Sequence, residues 1–188
     1  MLLDKCNLFY KKATSKFNFE EFKKINDLKE ILIYLNKFLK KLGEGSSRIV
    51  FDLNNQYVLK VAILENMEEG KHQNESETKV SKILNDVVAH VVNNHKDYLW
   101  IIVEKAKPLK NQKELINVLN LSSPLDLGLL FAKFPPKGHK LLKEPNPIAL
   151  KVSKLTNNKI LPRDVIKSDS WGFTLDDRLV LIDYGKLK

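Results

Sequence analysis

Three aspartates in the last quarter of the 188-residue sequence have the type and spacing for chemistry on phosphate or metal. Asp164 follows Pro-Arg, Asp169 stands five residues later, and Asp183 begins the tripeptide Asp-Tyr-Gly. Ionised carboxylates are hard oxygen ligands of the kind that Mg²⁺ prefers. Three unrelated surface carboxylates are the alternative.

A glycine-containing segment upstream has the composition of a phosphate-binding loop. Residues 43–50 are Gly-Glu-Gly-Ser-Ser-Arg-Ile-Val. Because glycine has no side chain, the backbone N–H groups around Gly43 and Gly45 can approach phosphate oxygens closely. A simple hairpin turn is the alternative. No Gly-Lys-Ser or Gly-Lys-Thr follows, so the segment is not a Walker A loop.

Lys60 lies inside the apolar run Val-Leu-Lys-Val-Ala at residues 58–62. A lysine in such a run either faces solvent on the polar side of a strand or points at a charged group in a cleft. The run itself is typical of a β-strand.

The elements that must position these residues can be read from hydrophobic periodicity. Apolar residues at three- and four-residue steps predict helix over residues 19–42, capped by Asn26 or Asp27 and changing to extended chain near Lys40. Alternating and β-branched runs predict strands that surround one helix, in the order β-β-β-α-β-β. The predicted strands include residues 48–53, 57–63, 87–92 and 98–103, and the helical stripe comprises Val80, Ile83, Leu84 and Val87.

The C-terminal half reads as helices followed by a hairpin. Helices are expected over residues 111–119, from Ser123-Pro124, and over 147–155 with an end at 157–158. Strand patterning returns over 171–183, with a turn at Asp176-Asp177.

Taken together, the motifs resemble the signature set of the protein-kinase-like superfamily over residues 40–185. The loop matches the family's glycine loop except that Arg48 replaces the third glycine, and the Lys60 run resembles Val-Ala-Ile-Lys. Pro162 stands in place of the family's catalytic-loop His, and Asp169 in place of its metal-binding Asn. Tyr184 replaces the Phe of Asp-Phe-Gly and keeps the ring.

The resemblance implies an α+β, two-lobed protein-kinase-like fold with a five-stranded antiparallel N-lobe sheet and a reduced, mainly helical C-lobe. Residues 1–39 would form an N-terminal helical extension, 40–104 the N-lobe, and 105–188 the truncated C-lobe. Since the sequence ends soon after the Asp183 motif, it resembles the minimal kinase-like proteins of bacteriophages and bacterial effectors.

The resemblance also implies a role for each motif residue, with ATP and Mg²⁺ as cofactors. Lys60 would bind the α and β phosphates and pair with a helix glutamate. We choose Glu77 over Glu75, because Val80 and Leu84 then follow on the same inward face; two surface charges near a helix N-terminus are the alternative. Asp164 would be the catalytic base and Asp169 and Asp183 the metal ligands. The predicted nucleotide-binding residues are Gly43, Gly45, Ser46, Val50, Lys60 and Glu104.

Three function classes remain open at this stage. The first is a minimal phosphotransferase that moves the ATP γ-phosphate to a hydroxyl, with Ser/Thr as the favoured acceptor. The second is a pseudokinase that binds nucleotide or a partner without transfer, which Pro162 and Ile166 (where the family has Lys) keep close. The third is a basic nucleic-acid-binding protein on a kinase-like scaffold.

Composition limits the partners. A hydrophobic content of 43% suffices for a core, and the single cysteine, Cys6, excludes an internal disulfide and suits a reducing compartment. No stretch predicts a signal peptide or a membrane span, so we expect a cytoplasmic protein of a bacterial or host cell. The net charge of +9 predicts weak, non-specific binding of nucleic acid. The other expected partners, ATP and an unidentified protein substrate or host partner, are implied by the resemblance.

Overall fold

The structure is a computed structural model that describes residues 17–84, 86–132, 136–156 and 162–184. The chain forms two compact units. The first comprises Met1–Thr78 and Val91–Lys105, and the second comprises Lys79–His90 and Ala106–Lys188. The predicted helix end at 157–158, Gly185 and the first 16 residues of the predicted extension lie outside the described residues.

A five-stranded antiparallel sheet organises the described part of the first unit, in the order β1-β2-β3-β5-β4. This confirms the predicted α+β class and the predicted N-lobe sheet. The register aligns Val50 with Lys60 and Lys60 with Ile101, so these three side chains share one face. The strands are β1 (Lys40–Glu44), β2 (Arg48–Asp52), β3 (Tyr57–Ala62), β4 (Val91–Asn94) and β5 (Trp100–Glu104).

Two N-terminal helices, α1 (Phe19–Phe22) and α2 (Leu28–Phe38), replace the continuous helix predicted over residues 19–42. The helical stretch is divided because Asn18 caps α1 and Asp27 caps α2, each accepting hydrogen bonds from N–H groups of the first turn. Asp27 is one of the two predicted caps. The change to extended chain near Lys40 is also observed, and Leu42 therefore lies in β1.

The apolar sides of α1 and α2 bury one face of the sheet. Trp100 of β5 is 2% exposed and contacts Phe19 and Phe22, with ring centroids 6.1 and 5.1 Å away. This core leaves the Lys60 face of the sheet to helix α3 (Met67–Ile83). The core includes Phe17, Phe19, Phe22, Ile31, Leu35, Phe51, Leu59, Val61, Trp100 and Ile102.

Helix α3 begins at Met67, well before Val80, the first residue of the predicted helical stripe. The part of α3 before Val80 lacks apolar periodicity, and polar side chains from Asn74 onward are buried in it. Asn74 is fully buried and donates to the Tyr98 carbonyl at 2.8 Å. Gly70 lies against the sheet: a Cβ there would stand 2.7 Å from the Ala62 Cβ.

The strand predicted over residues 87–92 is displaced toward the C-terminus, because β4 covers Val91–Asn94. Val87 and Val88 are buried in the core of the second unit instead. Val88 forms an isolated parallel bridge with Leu181. The backbone of Val88 is therefore engaged there and does not extend β4 toward the N-terminus, as the predicted strand over residues 87–92 required.

In the described part of the second unit, helices surround a small sheet of order β6-β7-β8. The helices and the turning hairpin agree with the prediction; β6, only three residues long, is an addition to it. No helix in the described ranges has the length and apolar composition needed to cross a bilayer. The elements are β6 (Ala106–Pro108), α4 (Gln112–Val118), α5 (Pro124–Leu127), a π-helical turn (Gly128–Ala132), α6 (Pro147–Thr156), α7 (Pro162–Val165), a 3₁₀ turn (Ser168–Ser170), β7 (Trp171–Thr174) and β8 (Leu179–Leu181).

Candidate functional site

A buried ion pair joins strand β3 to helix α3. The Lys60 Nζ lies 2.7 Å from Glu77 Oε2. The Glu77 side chain is fully buried, and that of Lys60 is 9% exposed. Of the two glutamates that compete for this position in the sequence, Glu77 therefore makes the contact. Lys60 occupies an inward position because its neighbours Leu59 and Val61 alternate to the opposite face.

Arg48 is a third member of this cluster. Its Nη2 lies 2.7 Å from Glu77 Oε1, and its Nη1 donates to Asn74 Oδ1 at 3.3 Å. Arg48 opens β2 and is 8% exposed. Sequence reasoning missed this contact, because an arginine at the end of a glycine loop carries no periodic signal and its partners are distant in the chain.

The glycines of the loop are not required by packing within the described chain. A Cβ at Gly43 would meet nothing within 4 Å, and one at Gly45 would meet only the Arg48 carbonyl oxygen at 3.8 Å. Neither residue has a left-handed φ. Gly45 N–H donates to the Arg48 carbonyl at 2.8 Å and closes the hairpin. The space on the Cβ side of both glycines is therefore open.

Hydrogen bonds and close packing connect the second half of the loop to α3 and to the residues that precede this helix. The Asn66 side-chain amide donates to the Ser46 carbonyl at 2.6 Å, and the Ser47 hydroxyl donates to Gln73 Oε1 at 3.0 Å. Ile63 N–H donates to the Ser47 carbonyl at 3.0 Å. Close packing at Gly70, where a Cβ would stand 2.5 Å from that same Ser47 carbonyl oxygen, completes the attachment.

In the second unit, the β7–β8 hairpin brings two of the predicted aspartates to one end. Trp171 pairs with Leu181 across the hairpin, so Asp169 precedes one strand where Asp183 follows the other. The N–H groups of Ile182 and Asp183 both donate to the Ser170 carbonyl, at 2.8 and 3.4 Å. Both aspartates are exposed.

Asp164 lies on the short helix α7, and its side chain is 17% exposed. The Arg163 Nε and the Lys167 Nζ stand 3.8 and 3.9 Å from its Oδ1. The Trp171 indole donates to the Val165 carbonyl at 2.8 Å, which ties α7 to the hairpin. Ile166 stands two residues after this aspartate and Lys167 three residues after it.

The remaining predicted residues lie in the first unit, apart from Tyr184. Val50 is half-buried on the Lys60 face, and Ser46 is exposed in the loop. Glu104 is half-buried at the end of β5, where it pairs with Tyr57. Tyr184, which follows Asp183, is buried in the core of the second unit at 1% exposure.

The chemistry of the donor set fits Mg²⁺. The described residues contain no cluster of three or more His, Cys, Asp or Glu side chains placed to hold a metal ion. Mg²⁺ usually binds one or two carboxylates together with substrate phosphates and keeps several waters. Asp169 and Asp183, two exposed carboxylates at one hairpin end, correspond to such a partial set.

No protein-family model matches the sequence, and no curated protein matches it. Solved structures do resemble the fold. The ternary complex of streptomycin, ATP and the aminoglycoside phosphotransferase APH(2")-IIa is 22% identical with a TM-score of 0.34, over 58% of this chain and 39% of that one. The Mycobacterium tuberculosis PknI kinase domain is 18% identical with a TM-score of 0.43, over 79% and 59%. The choline kinase LicA from Streptococcus pneumoniae is 12% identical with a TM-score of 0.39, over 85% and 69%.

By their names these structures are a phosphotransferase and two kinases, and at TM-scores below 0.5 no role of theirs is assigned to this chain. The chain spans about two fifths and three fifths of the length of the first two, as the 39% and 59% coverage shows. At such identities the likeness concerns the fold alone.

Proposed function

We propose that this protein is a phosphotransferase of the protein-kinase type, which uses Mg²⁺-ATP and transfers the γ-phosphate to a hydroxyl. The observation that carries the proposal is the 2.7 Å contact between Lys60 and the fully buried Glu77. Burying an ion pair costs desolvation free energy, and well-packed apolar residues at the same positions often stabilise a fold as much as the ion pair does. Such a pair beside a glycine loop, on the sheet face opposite the aromatic core, therefore supports a functional site.

In the proposed site, Glu77 orients the Lys60 ammonium so that it meets the α and β phosphates as a point charge. The open space at Gly43 and Gly45 supports a phosphate path along the loop, because the fold itself gives no reason for glycine at either position. Val50 and Glu104 would contribute to the binding of the nucleoside part.

Asp169 and Asp183 would hold Mg²⁺, which neutralises charge on the phosphates when bound. In the transfer step, the acceptor hydroxyl oxygen forms a bond to the γ-phosphorus. The bond from that phosphorus to the bridging oxygen of the departing ADP breaks, and Asp164 takes up the hydroxyl proton. A Ser or Thr hydroxyl is the acceptor that we propose.

A pseudokinase is the second candidate, favoured by one specific observation. Pro162, which stands where the family has His, is the first residue of α7, a position in which proline is tolerated because its missing N–H has no helical partner. The residue thus serves helix initiation and offers no imidazole beside Asp164. Nucleotide binding would then remain without transfer.

Binding is tested by the rise in melting temperature with Mg²⁺-ATP, because a ligand that binds only the folded state stabilises it. We expect a shift of several degrees at ATP about 100-fold above Kd, equivalent to about 2.7 kcal/mol. Lys60→Met and Asp183→Asn should each reduce it strongly. Asp177→Asn is the matched control: it lies at the opposite end of the same hairpin, with a φ of 58°, which asparagine also adopts.

Transfer is tested with γ-labelled ATP and a Ser/Thr-containing lysate. Asp164→Asn should abolish label transfer and leave the thermal shift nearly intact, since it removes the proton acceptor and not the nucleotide contacts. Binding without any transfer by the wild type would favour the pseudokinase. An absent thermal shift, or one retained in Lys60→Met, would contradict both candidates.

A further inference from the structure

We infer that Arg48 is a positioning residue for nucleotide binding, acting through the Glu77 carboxylate and not on the phosphates directly; this rests on the proposed function. Arg48 takes the place of the third glycine of the loop, so the resemblance assigns it no role. Its guanidinium lies inside the cluster of Arg48, Lys60, Asn74 and Glu77.

The two oxygens of the Glu77 carboxylate are divided between two cations. Oε1 forms an ion pair with Arg48 Nη2 at 2.7 Å that is not aligned as a hydrogen bond, and Oε2 accepts a hydrogen bond from Lys60 Nζ at 2.7 Å. Rotation of the carboxylate would lengthen both ion pairs, so the charge of Arg48 favours the orientation in which Oε2 meets Lys60. Through that oxygen, Arg48 determines where the Lys60 ammonium stands.

The Arg48 side chain is directed at helix α3. Its terminal nitrogens contact Glu77 and Asn74, both on α3, and the residue is 8% exposed. Asn74 in turn donates to the Tyr98 carbonyl, where Tyr98 has a φ of 56° ahead of β5. Arg48 therefore belongs to a chain of contacts that connects β2, α3 and the entry to β5.

Planarity explains why arginine suits this position. The guanidinium offers donors in a fixed fork, so one side chain reaches the Glu77 carboxylate and the Asn74 amide oxygen together. A lysine would supply charge without the fork. Arg48→Lys should therefore restore only part of what Arg48→Met loses.

The inference is tested first without nucleotide, by the rate at which an amine-acylating reagent modifies Lys60, followed by mass spectrometry. Arg48→Met and Glu77→Gln should each raise that rate several-fold. In Arg48→Met the Glu77 carboxylate is no longer held in place, and in Glu77→Gln the Lys60 ammonium loses the charge of its partner. The exposed Lys37 provides an internal reference, and Arg178→Met in the second unit is the matched arginine control. An unchanged Lys60 rate in Arg48→Met would overturn the inference.

The second arm measures ATP binding in a double-mutant cycle. Arg48→Met should weaken binding about tenfold, and adding it to Glu77→Gln should cost little more, because residues in one ion-pair network are not additive. Full additivity would indicate that Arg48 contacts the phosphates itself and would refute the inference. If the wild type binds no ATP, the proposed function fails, while the acylation arm still decides whether Arg48 positions Lys60.

Discussion

Replacing Gly70 by alanine tests the close approach of helix α3 to the sheet. A Cβ at this position would lie 2.5 Å from the Ser47 carbonyl oxygen, 2.7 Å from the Ala62 Cβ and 2.9 Å from the Ala62 Cα. Two of these atoms belong to the backbone and cannot rotate away. The helix or the loop must therefore shift to admit a methyl group.

The magnitude follows from two opposing effects. Overpacking of this kind costs about 1–3 kcal/mol, and the rigid backbone atoms favour the upper part of that range. Alanine in a helix interior gains about 1 kcal/mol over glycine. We expect a net loss of about 1–2 kcal/mol, which lowers the melting temperature by about 2–8 °C for a chain of this size.

Urea unfolding and calorimetry measure the effect on the free energy of unfolding. Gly43→Ala is the control, since its Cβ would meet nothing within 4 Å and it should stay within about 0.5 kcal/mol of the wild type. Because Gly70 contacts the carbonyl of Ser47, Gly70→Ala should also weaken ATP binding more than stability alone accounts for. A Gly70→Ala protein as stable as the wild type would refute the packing described for α3.

Three further predictions concern other parts of the chain. Phe22→Ala should destabilise the protein by about 3–5 kcal/mol, measured by urea unfolding, because the ring is fully buried beside Trp100. Burial raises the pKa of Asp126, but hydrogen bonds from His139 and from two backbone N–H groups outweigh burial and leave that pKa below its ordinary value. The stability that Asp126 contributes should thus be present above about pH 4 and lost as the pH falls through the lowered pKa of this carboxyl. The measurement is the difference in unfolding free energy between the wild type and Asp126→Asn at pH 7 and at pH 3. Equal differences at the two pH values would contradict the prediction. Any retardation of DNA should disappear near physiological salt, as expected from counterion release, and sequence-specific binding that survives such salt would favour the nucleic-acid class.

The succession of strands along the chain, and the presence of Lys60 in one of them, could be predicted because they depend on local patterns. Alternation with a period of two, a polar turn at residues 54–56 and the spacing of the glycine loop are all contained within short segments. The apolar neighbours of Lys60 place it in a strand, whereas its inward direction is implied only by the family resemblance. The cap at Asp27 and the hairpin turns follow from the same short-range rules.

The polar beginning of α3 and the role of Arg48 could not be predicted in that way. Asn74 and Glu77 of α3 face the polar cluster with Arg48 and Lys60, so the apolar stripe that indicates a helix is missing before Val80. Arg48 meets Glu77 only when β2 and α3 are already folded against each other. Contacts of this kind arise from tertiary structure and leave no periodic trace in the sequence.

The packing of α1 on β5 has a consequence for how the chain folds during its synthesis. Phe22 emerges from the ribosome well before Trp100, against which it is buried. At a synthesis rate of about 5–20 residues per second, Trp100 is added to the chain about 4–16 s after Phe22. Forming this contact closes a long loop, and contacts between residues distant in sequence slow folding relative to a helical bundle of equal size. During that interval the nascent helices present an apolar surface that a chaperone can bind.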